Sequence, residues 1–184
     1  MAYLAFDTET TGLSVDCNVL TSFFIILDSG LNQVATLDLQ IKHDFYTVYT
    51  KALEINKIDL LEHDKNAIPK SEAIMKLENF LEKYKTNEKY IILGHNILFD
   101  LKMLRHNNIL SKEIKEKYIS NIYYDTLTLS RKLKSEKKIP YNQSLSLNKI
   151  CYYYDISLNN ECKFHNAEYD IKMTVELYKK LIEI

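Results

Sequence analysis

Apolar and polar positions fall in blocks along this chain, and the period within each block predicts an element. Residues 2–7, AYLAFD, form a short apolar run that suits a buried strand. A second run, VLTSFFIILDSG over 19–30, ends on the turn signal Asp28-Ser29-Gly30. In VATLDLQIKH, over 34–43, Val34, Leu37, Leu39 and Ile41 stand mostly two apart, which predicts a third strand joined to the second as a hairpin. The period then changes. Across 70–85, Ile74, Leu77, Phe80, Leu81 and Tyr84 form one stripe of an amphipathic helix, with Ser71 as its expected cap behind Pro69. KYIILGHN, over 89–96, reads as a strand closing on Gly94, and residues 97–109 turn helical through Leu101 and Leu104. Helical spacing returns over 125–134 behind an Asp125 cap, and over 144–156 through Leu147, Ile150, Cys151 and Tyr154. It returns again over 166–184 through Ala167, Ile171, Thr174, Tyr178 and Leu181.

A strand meander, a helix, a strand and then mainly helices predict an α/β fold, with helices packed on a mixed central sheet. No internal repeat, low-complexity tract or second domain is visible, so residues 1–184 are expected to form a single domain. The one charge-dense stretch, RKLKSEKKIP over 131–140, is expected to be a flexible surface loop.

Composition narrows the function classes. The 24 basic and 25 acidic side chains leave a net charge of -1, which argues against coating nucleic acid by bulk charge but leaves a local basic groove open. Only Arg105 and Arg131 are arginines. Cys17, Cys151 and Cys162 are odd in number and lack metal-like spacing, so a reducing cytoplasm is expected rather than a disulfide framework. The opening MAYLAF lacks the pattern of a signal peptide, and no apolar run approaches the ~20 residues of a membrane span. A soluble protein with no membrane partner is expected.

The candidate chemistry lies in the acids. Strand side chains alternate faces, so Asp7 and Glu9 point the same way and repel each other unless positive charge sits between them. Asp100 stands where a strand gives way to a helix, Asp170 in the first turns of the last helix, five residues after His165, and Asp125 opens another helix. Each has a bland alternative. A solvated strand end accounts for the pair, and the helix macrodipole accounts for Asp100, Asp125 and Asp170. Oxygen-only ligands suit Mg²⁺ or Mn²⁺, and two such ions ~3.5–4 Å apart can clamp a phosphodiester.

In combination, FDTETTGL, GHNILFD and HNAEYD resemble, in order, the three motifs of the DEDD exonuclease superfamily. The likeness is to its histidine branch, the DnaQ-like 3′–5′ exonucleases, and it spans nearly the whole chain. DTLTLSRKL and SLSLNKICYYYDI look like that family's connecting helices. One element departs: where relatives often carry His-Gly-Ile after an alanine, this chain has Asn56-Lys57-Ile58. The sister branch has tyrosine four residues before the last Asp; here that position is Asn166, so the histidine version fits.

The resemblance implies an RNase H-like fold and a metal-dependent enzyme releasing nucleoside monophosphates from single-stranded 3′ ends. It implies that Asp7 bridges two divalent cations, that Glu9 and Asp170 complete the first site, and that Asp100 supports the second partly through water. His165 becomes the general base, a role suited to an imidazole that titrates near neutrality. Asp125 is read as a helix cap and supporting acid. Backbone groups over Thr10, Thr11 and Gly12 would meet the terminal nucleotide, and Leu13 either wedges against its base or packs in the core. His95 and Asn96 either orient Asp100 or approach the substrate. Phe99 is assigned to the core, and His43, His63 and His106 to the surface. Arg131, Lys132, Lys134, Lys137 and Lys138 form either a backbone contact or a solvated face.

A rival reading keeps the fold as a catalytically silent nucleic-acid-binding or protein-interaction module. The closing KLIEI, directly after the last predicted helix, favours a free-standing enzyme or a small partner subunit. A homodimer and a polymerase or processing partner both stay open, as does DNA against RNA, which turns on contacts to the 2′ position.

Overall fold

The computed structural model describes residues 1–157 and 165–184; Cys162 lies outside them. Among the described residues six strands form one sheet in the order β4-β3-β2-β1-β5-β6. Strands β1 (Tyr3–Thr10), β2 (Val19–Leu27) and β3 (Gln33–Lys42) run as an antiparallel meander. Beyond β1, strands β5 (Tyr90–Gly94) and β6 (Ile119–Asp125) continue in parallel, and the two-residue β4 (Ile68–Pro69) adds to β3. The mixed α/β sheet with flanking helices is as the periodicity predicts.

The pleat of β1 assigns the two sides of the sheet. Leu4 and Phe6 join the larger core with α3 (Lys70–Lys83), α4 (Ile97–His106) and α5 (Lys112–Tyr118). Ala5, on the other face, packs against Ala167, Ile171, Val175 and Tyr178 of α8 (Ala167–Leu181). Strand β2 is buried on both faces, which is why VLTSFFIIL shows no alternation. In β3, Leu39 and Ile41 are buried while Val34, out of phase, is exposed. Each fully buried Phe of the central strands, such as Phe6 and Phe24, contributes about 1.5–3 kcal/mol. A third cluster joins α6 (Thr126–Ser135) and α7 (Leu147–Tyr153) to the outer side of α8. Phe99 packs against the larger core, as its sequence context indicates.

Several expectations are corrected. Helix α3 begins at Lys70 with Pro69 at its cap position and no side-chain cap, so Ser71 lies inside the first turn. Residues 131–135 are not loop but the last turns of α6. His63 is buried, its Nε2 bonded to the carbonyl of Ile41 at 3.0 Å, and His43 is half-buried on the carbonyl of Val19. Helices α1 (Thr50–Asn56) and α2 (Leu60–Asn66), with α5 and β6, carry no periodic signal strong enough to predict them. Among the described residues, no helix is long and apolar enough to cross a membrane.

Candidate active site

Open sheets place their functional crevices at the carboxyl ends of parallel strands. Here β1 and β5 lie side by side, and each delivers a motif at that end. Asp7 and Glu9 share the α8 face of β1 because they are two residues apart, and the N-terminal turns of α8 bring Asp170 to meet them. One carboxylate oxygen from each of the three lies within 4.8 Å of the others.

Asp100 arrives from the opposite face. At Gly94 the chain turns from β5 toward α4 so tightly that a Cβ would stand 2.9 Å from Ile97 Cβ. Asn96 takes a left-handed conformation, with φ of 60°, and its N–H donates to Asp125 Oδ1 at 2.7 Å. Helix α4 then carries Asp100 beneath the end of β1. There its Oδ1 accepts from Thr8 N at 3.0 Å and from Thr8 Oγ1 at 2.7 Å. Thus three of the four acids form a close group, and Asp100 stands beside it on a separate clamp.

Burial and mutual repulsion dominate the electrostatics. Burial, with repulsion from Asp100, Asp170 and Glu9, raises Asp7 well above the usual carboxylate range. Glu9 is pushed up to about 8 by burial and the charges of Asp170 and Asp100, against a stabilising hydrogen bond from Asn56. Burial lifts Asp100 to about 7 although the Thr8 donors oppose it, and lifts Asp170 to about 6. Asp170 Oδ1 is buried with no hydrogen-bond partner among the described residues, while Oδ2 accepts from the N–H of His165 at 3.1 Å. An all-oxygen donor set, an orphaned carboxylate oxygen and several acids reluctant to ionise together fit a hard divalent cation.

The remaining candidates sort themselves around this group. His165 has a left-handed backbone, with φ of 72°, and an exposed side chain at the approach to α8. His95 is held by Thr126 Oγ1 at 2.8 Å, and burial lowers its pKa. Asp125 caps α6 by accepting from Leu127 N and Thr128 Oγ1, so it is tied to structure as its position predicts. Thr10 Oγ1 donates to the Gly12 carbonyl and Thr11 Oγ1 to the Thr47 carbonyl, so both hydroxyls hold the loop after β1. Gly12 is required there by close approach: a Cβ would meet Tyr49 Cδ2 at 2.6 Å and Cys17 Sγ at 2.7 Å. Leu13 is 79% exposed, which removes the core-packing alternative.

A cleft of about 450 Å³ is lined by Asp7, Asp170, His95, Asn96 and, from α6, Arg131. The basic segment is therefore divided. Lys132 and Lys138 pair with Glu136, and Lys134 Nζ donates to the Gln143 carbonyl, whereas Arg131 lines the cleft that Asp7 and Asp170 also line. Sequence reasoning missed that separation, along with the contact of Asn56 with Glu9. The helical phase of Arg131, one turn after Leu127, was the available signal.

The defining pattern of the RNase T exonuclease family matches residues 4–178. The chain belongs to that family, and so to the DEDD, DnaQ-like 3′–5′ exonucleases. It is 25% identical over 186 residues to ribonuclease T of Buchnera aphidicola subsp. Baizongia pistaciae, covering 96% of this chain and 81% of the relative. Its fold matches that of Escherichia coli exonuclease I in complex with a dT13 oligonucleotide, with a TM-score of 0.77 and 21% identity over 98% of this chain. The moderately thermophilic exonuclease I of Methylocaldum szegediense gives a TM-score of 0.79 at 19% identity over 99% of the chain. In both cases this chain spans about 40% of the larger protein's length.

Proposed function

We propose that residues 1–184 act as one exonuclease domain that trims single-stranded DNA or RNA from the 3′ end, releasing nucleoside monophosphates in a reducing cytoplasm. The observation that carries this reading is the group Asp7, Glu9 and Asp170, with Asp100 clamped beside it, at the mouth of a cleft. Asp7, Glu9, Asp170 and Asp100 would hold two divalent cations, Mg²⁺ or Mn²⁺, which supply Lewis-acid stabilisation of charge on the phosphodiester. His165, exposed at the rim, takes a proton from the attacking water as the water oxygen bonds to phosphorus. The bond from phosphorus to the 3′ oxygen of the penultimate nucleotide breaks, and that oxygen takes a proton from solvent, leaving a 3′ hydroxyl on the shortened strand. Arg131 offers its guanidinium to a non-bridging phosphate oxygen. Leu13 presents an apolar surface to the terminal base, a sequence-tolerant contact.

The named relatives include both a ribonuclease and a DNA-bound exonuclease, so both polymers belong in the test. It offers 5′-labelled single-stranded DNA and RNA of one sequence with Mn²⁺, Mg²⁺ or EDTA, and Asp7→Ala as control. A metal-dependent ladder shortening from the 3′ end is expected, absent in Asp7→Ala. Bound metal with no ladder on either polymer would favour the silent binding module.

A further inference from the structure

We infer that the groove between α4 and β6 is an upstream track for the single strand whose 3′ end occupies the active-site cleft. The inference rests on the nuclease reading above for the identity of its occupant. Strand β6 is one edge of the sheet, and its Ile122, Tyr123 and Tyr124 are exposed. Two adjoining hollows result, of about 450 and 740 Å³, sharing Arg105, Lys115, Ser120 and Asn121.

The first hollow combines cations with apolar floor. Lys102, Arg105 and Lys115 line it together with Leu98, Leu101 and Tyr123. Elsewhere some lysines are ion-paired, as Lys76 is with Glu72 and Lys117 with Glu78 and Glu82. Lys102, Arg105 and Lys115 have no carboxylate partner among the described residues. In the second hollow Glu116 sits beside Lys112 at 3.7 Å, so positive charge is concentrated in the shared part. Unpaired cations at this density complement a polyanion.

Position favours nucleic acid over an acidic peptide. Leu98, at the near end of the groove, is two residues from Asn96, which lines the active-site cleft. From Leu98 the exposed stripe of α4 continues through Lys102 to Arg105, about 10 Å along the axis at ~1.5 Å per residue. The stripe thus begins two residues from the lining of the cleft, where a strand leaving on the α4 side would run onto it. Tyr123, 44% exposed, and Leu98, 53% exposed, offer ring and apolar surface to bases, as stacking platforms do.

The test compares the intact chain with a combined Lys102→Ala, Arg105→Ala and Lys115→Ala variant, checked for an unchanged circular dichroism spectrum and Tm. Fluorescence anisotropy in EDTA follows binding of labelled oligo(dT) and oligo(U), each of three and twelve nucleotides. The wild-type protein should bind the longer strands tighter. The variant should lose roughly tenfold or more on them while keeping its affinity for trinucleotides, and its salt slope should fall by ~2, about 0.7 per phosphate contact. Equal binding of both lengths by the wild type, or an unchanged twelve-nucleotide affinity in the variant, would overturn the track and leave an acidic peptide as the groove's occupant. Trinucleotide cleavage with Mn²⁺, measured alongside, separates failure of the track from failure of the nuclease reading.

Discussion

Thr8 donates both its backbone N–H and its hydroxyl to the same oxygen of Asp100, ninety-two residues away, at 3.0 and 2.7 Å. The residue between the paired acids therefore has a role of its own. Asp7 and Glu9 face α8, Thr8 faces α4, and one stretch of β1 joins acids that approach from both sides of the sheet.

Thr8→Val keeps a β-branched residue in the strand and removes the hydroxyl donor. Asp100, already lifted to about 7 by burial, then loses a group that favours its charged form, and its pKa rises further. In the metal-free protein a proton then competes better with the cation, so Mn²⁺ affinity near pH 7 should fall and partly recover in alkaline buffer. Loss of the bond should also lower stability by about 1–2 kcal/mol, measured by urea unfolding. Unchanged Mn²⁺ affinity across that pH range would show that the Thr8 hydroxyl does not tune Asp100.

Stability of the metal-free protein should fall as pH rises. Folding raises the pKa of these acids, so each binds its proton more tightly in the native than in the unfolded chain. Their contribution is complete below the ordinary carboxylate range and is lost on passing about 6 for Asp170, about 7 for Asp100 and about 8 for Glu9. Tm in EDTA should therefore decline from pH 5 to 8.5, Mn²⁺ should restore it most at the alkaline end, and Asp7→Asn should flatten the decline. A metal-free Tm that rises across that range contradicts this electrostatic account.

The site was legible where local spacing carries it, and hidden where packing does. Two acids two apart on a strand share a face, and Asp125 before a helical run is a cap; both follow from sequence alone. That Thr8 would clamp Asp100, or that Arg131 would separate from the lysines beside it, depends on how α4 and α6 dock. Among the elements, β2 and α8 bury long apolar runs and could be read directly. Strand β6 could not, because SNIYY exposes most of its side chains at a sheet edge. Helix α1 buries no residue fully, so no stripe marks it. His63 looked like surface because its carbonyl partner, Ile41, lies in a strand twenty-two residues earlier.

Lys57 takes the left-handed conformation that ends α1, with φ of 59° and its N–H on the Leu53 carbonyl. This is the position where the resembled family often has glycine, a residue that suits the left-handed turn. A side chain there costs about 1 kcal/mol. Lys57→Gly should stabilise the protein by roughly 0.5 kcal/mol after the added freedom of the unfolded chain is counted. Thermal unfolding should show Tm higher by about 1–2 °C, and Lys57→Val should lower it.

His165 meets the acids through its backbone, while its side chain is exposed at the rim. The two functions can be separated by substitution. His165→Ala retains the N–H that holds Asp170 Oδ2 and removes only the imidazole, so Mn²⁺ affinity by calorimetry should be unchanged. If the ring accepts the proton of the attacking water, kcat should fall ~10²–10⁴-fold. The loss should shrink at high pH, where hydroxide needs no base. Turnover within a few-fold of wild type at neutral pH would remove His165 from that role and leave it as a support for Asp170.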